Sequence, residues 1–222
     1  LGYAFQTLGL ASTLPARSAF LTSLSVVLVP ILQWAITGAA PPSRVWWAVA
    51  LAVAGLGLLL RPESAPLRLG DGLTFLCAVS FAAHVLALAK AVERQHPAAV
   101  NLVQMGIVAL LSPLLVLLPP RYVHFSWPLL VALLITGIFA SALAFGAMAQ
   151  VLKVLPTATT GIVLAFEPVA AAALSALLGY EALSFSTFLG GAMVVLAVML
   201  VAESPGESQP SSRRRLAGST VR

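Results

Sequence analysis

The chain has 222 residues, of which 60% are hydrophobic and only 9% charged, with a mean hydropathy of +1.01. An ordinary soluble domain carries about 25% charged residues, so a water-facing surface is excluded: it would expose an apolar patch far larger than a soluble monomer tolerates. The net charge of +5 does not point to nucleic acid, because Arg213, Arg214, Arg215 and Arg222 all lie in the last ten residues, and a basic tail on a membrane body fits a cytoplasmic end or contact with anionic lipid.

A membrane-spanning helix needs about 20 mainly apolar residues. The opening stretch, Leu1 to Thr13, is too short to cross and reads as the second part of a helix, and the chain is expected to lack its own beginning, since no basic segment precedes the apolar one. Seven full spans are then predicted over Ser18–Thr37, Arg44–Leu60, Gly72–Ala89, Ala98–Leu118, Trp127–Leu152, Thr157–Tyr180 and Ser184–Ala202. The apolar runs are continuous and do not alternate, which selects helices over barrel strands. Pro41 and Pro42, Pro62 with Pro66, Pro97, Pro119 with Pro120, and Pro156 separate them. Trp46, Trp47, Trp127 and Tyr180 sit at run ends, where amphipathic rings favour the headgroup layer. The expected fold class is all-α, a polytopic membrane helical bundle.

Residues 203–222, rich in Ser, Pro and Arg, are expected to form a disordered cytoplasmic tail. With the tail inside, Arg44, Lys90, Arg94 and Lys153 lie on the cytoplasmic side and Arg17, Arg61, Arg68 and Arg121 on the other, so the positive-inside bias rests on the tail. Cys77 is the only cysteine, so no internal disulfide can form.

Residues 1–60 overlay residues 143–202 at an offset of 142 with no gap, run on run and loop on loop. This divides the chain into a partial first unit (1–60, about three helices), a connecting loop (61–71), a second unit of five helices (72–202) and the tail (203–222). An odd number of helices per unit forces the two copies to face opposite ways, so the bundle is expected to hold two inverted five-helix repeats, the first incomplete. Inverted repeats are common in secondary transporters, with the substrate between the copies near the midplane.

The stretches "GLASTLPARSAFLTSLSVVLVP", "FAAHVLALAK" and "LPTATTGIVLAFEPVAAAALSALLGYEALS", followed by "LGGAMVVLAVML", resemble the EamA-type members of the drug/metabolite transporter superfamily, from Leu1 to about Ala202. The resemblance implies a ten-helix carrier of two inverted five-helix units, with both ends cytoplasmic, moving small organic metabolites or drugs, usually outward. The chain departs from that plan in lacking the first two helices and part of the third. It also carries Ala39 where the second copy has Glu181, and Ser25-Val26 where the second copy has Glu167-Pro168.

Glu167 stands about ten residues into its span, where a charge costs roughly 2.5–3.5 kcal/mol on insertion scales. It is read as a cavity acid that binds a cationic group or carries a proton. The alternative is structural: Pro168 cannot donate to the Leu164 carbonyl, and Glu167 caps the loosened backbone. His84 is read as a cavity contact or a buried hydrogen-bonding group. Asn101 and Gln104 share a helix face three residues apart, and these two, with Gln6 and Gln150, are read as substrate contacts or interhelical hydrogen bonds. Arg17 is expected at the outer edge with its stem snorkelling. Pro30, Pro113 and Pro168 are read as kinks or hinges.

No phosphate loop, metal-spaced Cys or His pair, or nucleophile elbow occurs, so neither catalysis, a metal nor a cofactor is expected. The expected function is secondary transport of a small molecule by alternating access in the cell membrane, driven by a gradient, with a non-transporting scaffold, an inactive fragment and a passive channel as alternatives. Expected partners are the small-molecule substrate, the lipid bilayer and, in a homodimer, a second copy.

Overall fold

The computed structural model describes residues 1–61, 66–117, 125–179 and 184–202. Tyr180, Glu181, the Pro119–Pro120 connection with Arg121, and the basic tail lie outside the described residues. Among the described residues the regular structure is all helical: α1 (Gly2–Leu10), α2 (Pro15–Ser23), α3 (Ser25–Thr37), α4 (Ser43–Leu60), α5 (Leu69–Arg94), α6 (Pro97–Leu111), α7 (Trp127–Ile135), α8 (Ala144–Val154), α9 (Thr157–Leu164), α10 (Glu167–Leu177) and α11 (Phe185–Ala202). Seven stretches are long and apolar enough to cross a membrane: Pro15–Thr37, Ser43–Leu60, Leu69–Arg94, Pro97–Leu114, Trp127–Val154, Thr157–Leu177 and Phe185–Ala202. They correspond to the seven spans expected from sequence, with the first beginning at Pro15 rather than Ser18, the third running Leu69–Arg94 rather than Gly72–Ala89, and the fourth ending at Leu114 rather than Leu118.

Local signals set the ends. The His96 ring accepts from the Ala98 N–H at 3.3 Å ahead of Pro97, and Ser126 caps α7 by accepting from Leu129 at 3.3 Å. Gly38 closes α3 in the left-handed region at φ 71°, where a side chain would be strained. Pro113 removes a donor from the end of α6, and the chain tightens there into a 3-10 turn over Ser112–Leu117. In the fifth span, α7 and α8 are joined by a π-helical stretch, Thr136–Leu143, which the apolar pattern did not announce.

Two spans are broken in the middle. The second copy breaks at Ala165–Phe166, between α9 and α10, two residues ahead of Pro168, whose missing N–H leaves the Leu164 carbonyl without its helical donor. The first copy breaks at Leu24, between α2 and α3. Adding 142 to Pro15, Ser25 and Ser43, the starts of α2, α3 and α4, gives Thr157, Glu167 and Phe185, the starts of α9, α10 and α11, and α4 and α11 also end in register, Leu60 against Ala202.

The core lies in two clusters. One gathers Val26, Ala48, Ala52, Leu56, Ile162, Val194 and Ala197 from α3, α4, α9 and α11. The other gathers Val29, Ala82, Val85, Leu88, Ala149 and Leu152 from α3, α5 and α8. The closest pair is α4 with α11. A Cβ on Gly55 would lie 2.7 Å from the Gly190 carbonyl oxygen, and one on Gly190 would lie 2.5 Å from the Gly55 oxygen. Gly190 faces Leu58 and Leu59 while Gly55 faces Met193 and Val194, so the two helices run antiparallel. Without a hydrophobic drive between helices in lipid, this backbone approach supplies the packing.

The spans cross alternately. One face therefore carries the α1–α2 turn, Arg61 and the start of α11; the other carries the α3–α4, α5–α6 and α8–α9 connections with Arg44, Lys90, Arg94 and Lys153. The Arg61 side chain, donating to Ser184 at 2.8 Å and to Ser186, ties α4 to α11 on the first of these. Replacing Gly190 by Val forces a side chain into the backbone of α4 and is expected to cost about 1–3 kcal/mol, read as a lowered thermal midpoint in detergent. Gly106→Ala, where nothing lies within 4 Å, is the control and should change little.

Candidate functional site

Glu167 opens α10 at the break, ten residues after Thr157 and therefore about 15 Å along the span. That is half of a hydrocarbon core of about 30 Å. It is exposed, and it sits in the first turn of α10, where the positive end of the helix dipole favours a carboxylate. Its carboxylate is within electrostatic reach of the Tyr3 hydroxyl on α1.

Tyr3 anchors an aromatic wall. Its ring meets Phe81 edge-on with centroids 5.5 Å apart and Phe145 at 6.3 Å, and Phe145 in turn meets the His84 ring at 5.6 Å. Glu167 and His84 are thus linked through α1 and α8 rather than by direct contact. Cys77, fully buried on α5, lies within electrostatic reach of the same Tyr3 hydroxyl.

A second polar group surrounds α6. The Gln104 amide donates to Asn101 Oδ1 at 2.7 Å, and the Asn101 amide donates to the Ala142 carbonyl at 3.0 Å. Ala142 belongs to the π stretch, and Gly146, one turn on, leaves room for the amide: a Cβ there would lie 3.0 Å from Asn101 Nδ2. Two open clefts flank α6. One, of ≈ 470 Å³, is lined by Asn101, Met105, Gly146 and Gln150; the other, of ≈ 390 Å³, by His84, Gln95, Val100 and Gln104. His84 Nε2 and Gln104 Oε1 are buried without a hydrogen-bond partner, and both residues line the second cleft.

The structure therefore brings His84, Asn101, Gln104 and Gln150 around α6 and sets Glu167 across the aromatic wall from them. Gln6 is half-buried on α1, on the face of Tyr3 at i+3, and lines neither cleft. Tyr3 and Phe145 are the residues that sequence reasoning missed. One signal was available: the offset of 142 carries Tyr3 onto Phe145, an aromatic at the same position in both copies.

Arg17 differs most from its expected place. Instead of snorkelling at the edge, it is buried and paired with Asp71 at 2.9 Å, and it also donates to the Pro66 carbonyl at 3.2 Å. The reason is the α1–α2 turn, which brings Thr13 and Arg17 onto the start of α5, where a carboxylate waits.

Seven apolar spans with broken helices define a multi-pass helical membrane protein. Residues 68–202 match the EamA-like transporter family, more than half of the chain, and the protein belongs to that family and through it to the drug/metabolite transporter superfamily. An uncharacterized transporter of Archaeoglobus fulgidus is 27% identical over 201 residues, covering 90% of this chain and 65% of that protein. The uncharacterized transporter YwfM of Bacillus subtilis is 29% identical over 187 residues, covering 81% of this chain and 61% of that protein. The chain thus spans a little under two thirds of the length of these relatives. A crystal structure of a protein 19% identical superposes with a TM-score of 0.77, over 90% of this chain and 71% of its own, and shows a shared fold.

The Gln104–Asn101 bond and its anchor on Ala142 carry a measurable coupling. A double-mutant cycle with Asn101→Ala and Gln104→Ala, read by unfolding in detergent, is expected to give about 0.2–0.5 kcal/mol, the range for side-chain pairs three residues apart on one helix.

Proposed function

We propose that the protein of which this chain forms the described part is a secondary carrier for small organic solutes. It works by alternating access between two inverted five-helix units, moves its solute outward, and sits in the cell membrane with the Lys90 face and the C-terminus in the cytoplasm. The single observation that carries the reading is the helix break at half depth with Glu167 in the first turn after it. An acid there, exposed in the first turn after the break, suits a solute cation or a proton. Broken helices whose half-helix ends face a substrate are a recurring device of such carriers. Family membership and the names of the two relatives support transport as the activity. The antiparallel α4–α11 pair and the matched breaks support the inverted units.

In this reading His84, Asn101, Gln104, Gln150 and Gln6 are the polar contacts of the solute, and Glu167 couples its passage to a proton or pairs with its positive group. The substrate side would be mainly apolar, since Ala, Leu and Val line most of both clefts.

The test is transport by the full-length protein in proteoliposomes, against a panel of neutral and cationic small metabolites under an imposed pH gradient. Saturable, gradient-dependent movement is expected. Glu167→Gln should lower it by about tenfold, the factor that 1.4 kcal/mol of lost interaction gives, or flatten its pH dependence. Unchanged transport across pH in that variant rejects the role of Glu167; non-saturating flux indicates a channel, and no movement of any solute a scaffold.

A further inference from the structure

We propose that Arg17 and Asp71 form a gate on the Arg61 face, so that the conformation seen here is shut on that face and accessible from the Lys90 face. The inference rests on the carrier reading above and adds to it the residues that decide which face is closed.

The two charges lie 54 residues apart, Arg17 on α2 and Asp71 at the start of α5, and both are buried, at 7% and 4% exposure. One Asp71 oxygen accepts from the Arg17 guanidinium at 2.9 Å and from the Arg68 backbone N–H at 2.8 Å; the other accepts from the Thr13 hydroxyl. The carboxylate thereby ties the α1–α2 turn, α2 and the start of α5 into one plug. Backbones close the remaining space: a Cβ on Gly70 would run into the Gly9 carbonyl oxygen and lie 2.8 Å from the Thr13 nitrogen. Beneath the pair, the Ser18 and Thr74 hydroxyls stand 3.5 Å apart and buried. Beneath these lies Cys77, fully buried. Asp71, Thr74 and Cys77 are three residues apart, so each layer lies about 4.5 Å further along α5.

The opposite end is built differently. The offset of 142 carries Thr13, Arg17 and Gly9 onto Leu155, Thr159 and Val151, so uncharged Thr159 stands where Arg17 does, and Lys153, the charge of that segment, stands where the first copy has Ala11. Both clefts lie toward that end, between His84 and Gln95 on α5 and along the first turns of α6. A desolvated ion pair also suits a gate. It is favourable when fully closed and when fully hydrated, and costly in between, which gives two discrete positions instead of a gradual opening.

Cys77 reports on the gate. The full-length protein is reconstituted in vesicles and treated with an impermeant methanethiosulfonate reagent from one face at a time. Modification of Cys77 is located by peptide mapping, and the Arg61 face is assigned by a Leu67→Cys marker, exposed at 89%. The unaltered protein is expected to react faster from the Lys90 face than from the Arg61 face. Asp71→Asn and, separately, Arg17→Ala are expected to raise the Arg61-face rate by about tenfold or more, because removing one partner of a buried pair shifts a two-state equilibrium by at least that factor. Equal rates from the two faces in the unaltered protein, or an unchanged Arg61-face rate in whichever variant reaches the membrane, would overturn the gate. The measurement needs no transported solute. Asymmetric labelling without transport would retain the closure and sink the carrier reading; saturable transport with symmetric labelling would do the reverse.

Discussion

Hydrocarbon cannot accept or donate a hydrogen bond, so every peptide group that meets it must be satisfied within the chain. The fold follows from this constraint. The spans are helical, they expose many large apolar side chains, chiefly Leu, Ile, Val and Phe, and the π stretch comes with a local remedy. The π stretch presents its Ala142 carbonyl to Asn101, and the Ser141 hydroxyl donates to the Thr136 carbonyl at 2.9 Å. At the mid-span breaks the flanking residues Val26, Ile162 and Ala165 are buried in one cluster, which keeps the loosened backbone away from lipid.

This constraint also explains what was legible in the sequence. Runs of apolar residues must be about as long as the bilayer is thick, so the seven spans were readable with their ends nearly in place. The break before Pro168 was readable because proline removes a donor wherever it stands. That Asn101 and Gln104 share a helix face was readable from their spacing of three; the bond between them on that face was not, since the amides were expected to reach other helices or the substrate. Arg17 and Asp71 were not. They are 54 residues apart, and judged singly an arginine near a span end belongs at the interface, while Asp71 fell in the expected 61–71 connection. Only the packing of Gly9 on Gly70, which brings the α1–α2 turn onto α5, makes burial of both charges tolerable. The π stretch was hidden for another reason: its residues are as apolar as their neighbours, and a one-residue change in hydrogen-bond register leaves no mark on hydropathy.

The offset of 142 carries more than a likeness of hydropathy. It superimposes the starts of three helices and the end of one, and it superimposes the breaks although only one has a proline: Val26 stands where Pro168 does. A break that occurs with and without proline is set by its position in the architecture, and the missing donor of Pro168 reinforces it in one span. The same offset brings Tyr3 onto Phe145, and these two rings touch. In the proposed arrangement of inverted units, residues related by the twofold axis meet only close to that axis, and the aromatic wall, with His84 against it, would stand where the two units face each other.

Matched backbones with unmatched side chains have an energetic consequence. In the proposed mechanism two related units exchange conformations, and the closer their folds, the closer in energy the two states of the whole protein, since each state would be nearly the other turned over. A small chemical difference then decides the resting population: a bias of 1.4 kcal/mol is already about tenfold. Glu167-Pro168 against Ser25-Val26, and the Arg17–Asp71 pair against uncharged Thr159, are differences of that kind. A buried pair that loses a partner is destabilised by about 3–5 kcal/mol, enough to outweigh any residual inequality between the units. The symmetric frame supplies two accessible states, and the few charged residues within it choose between them.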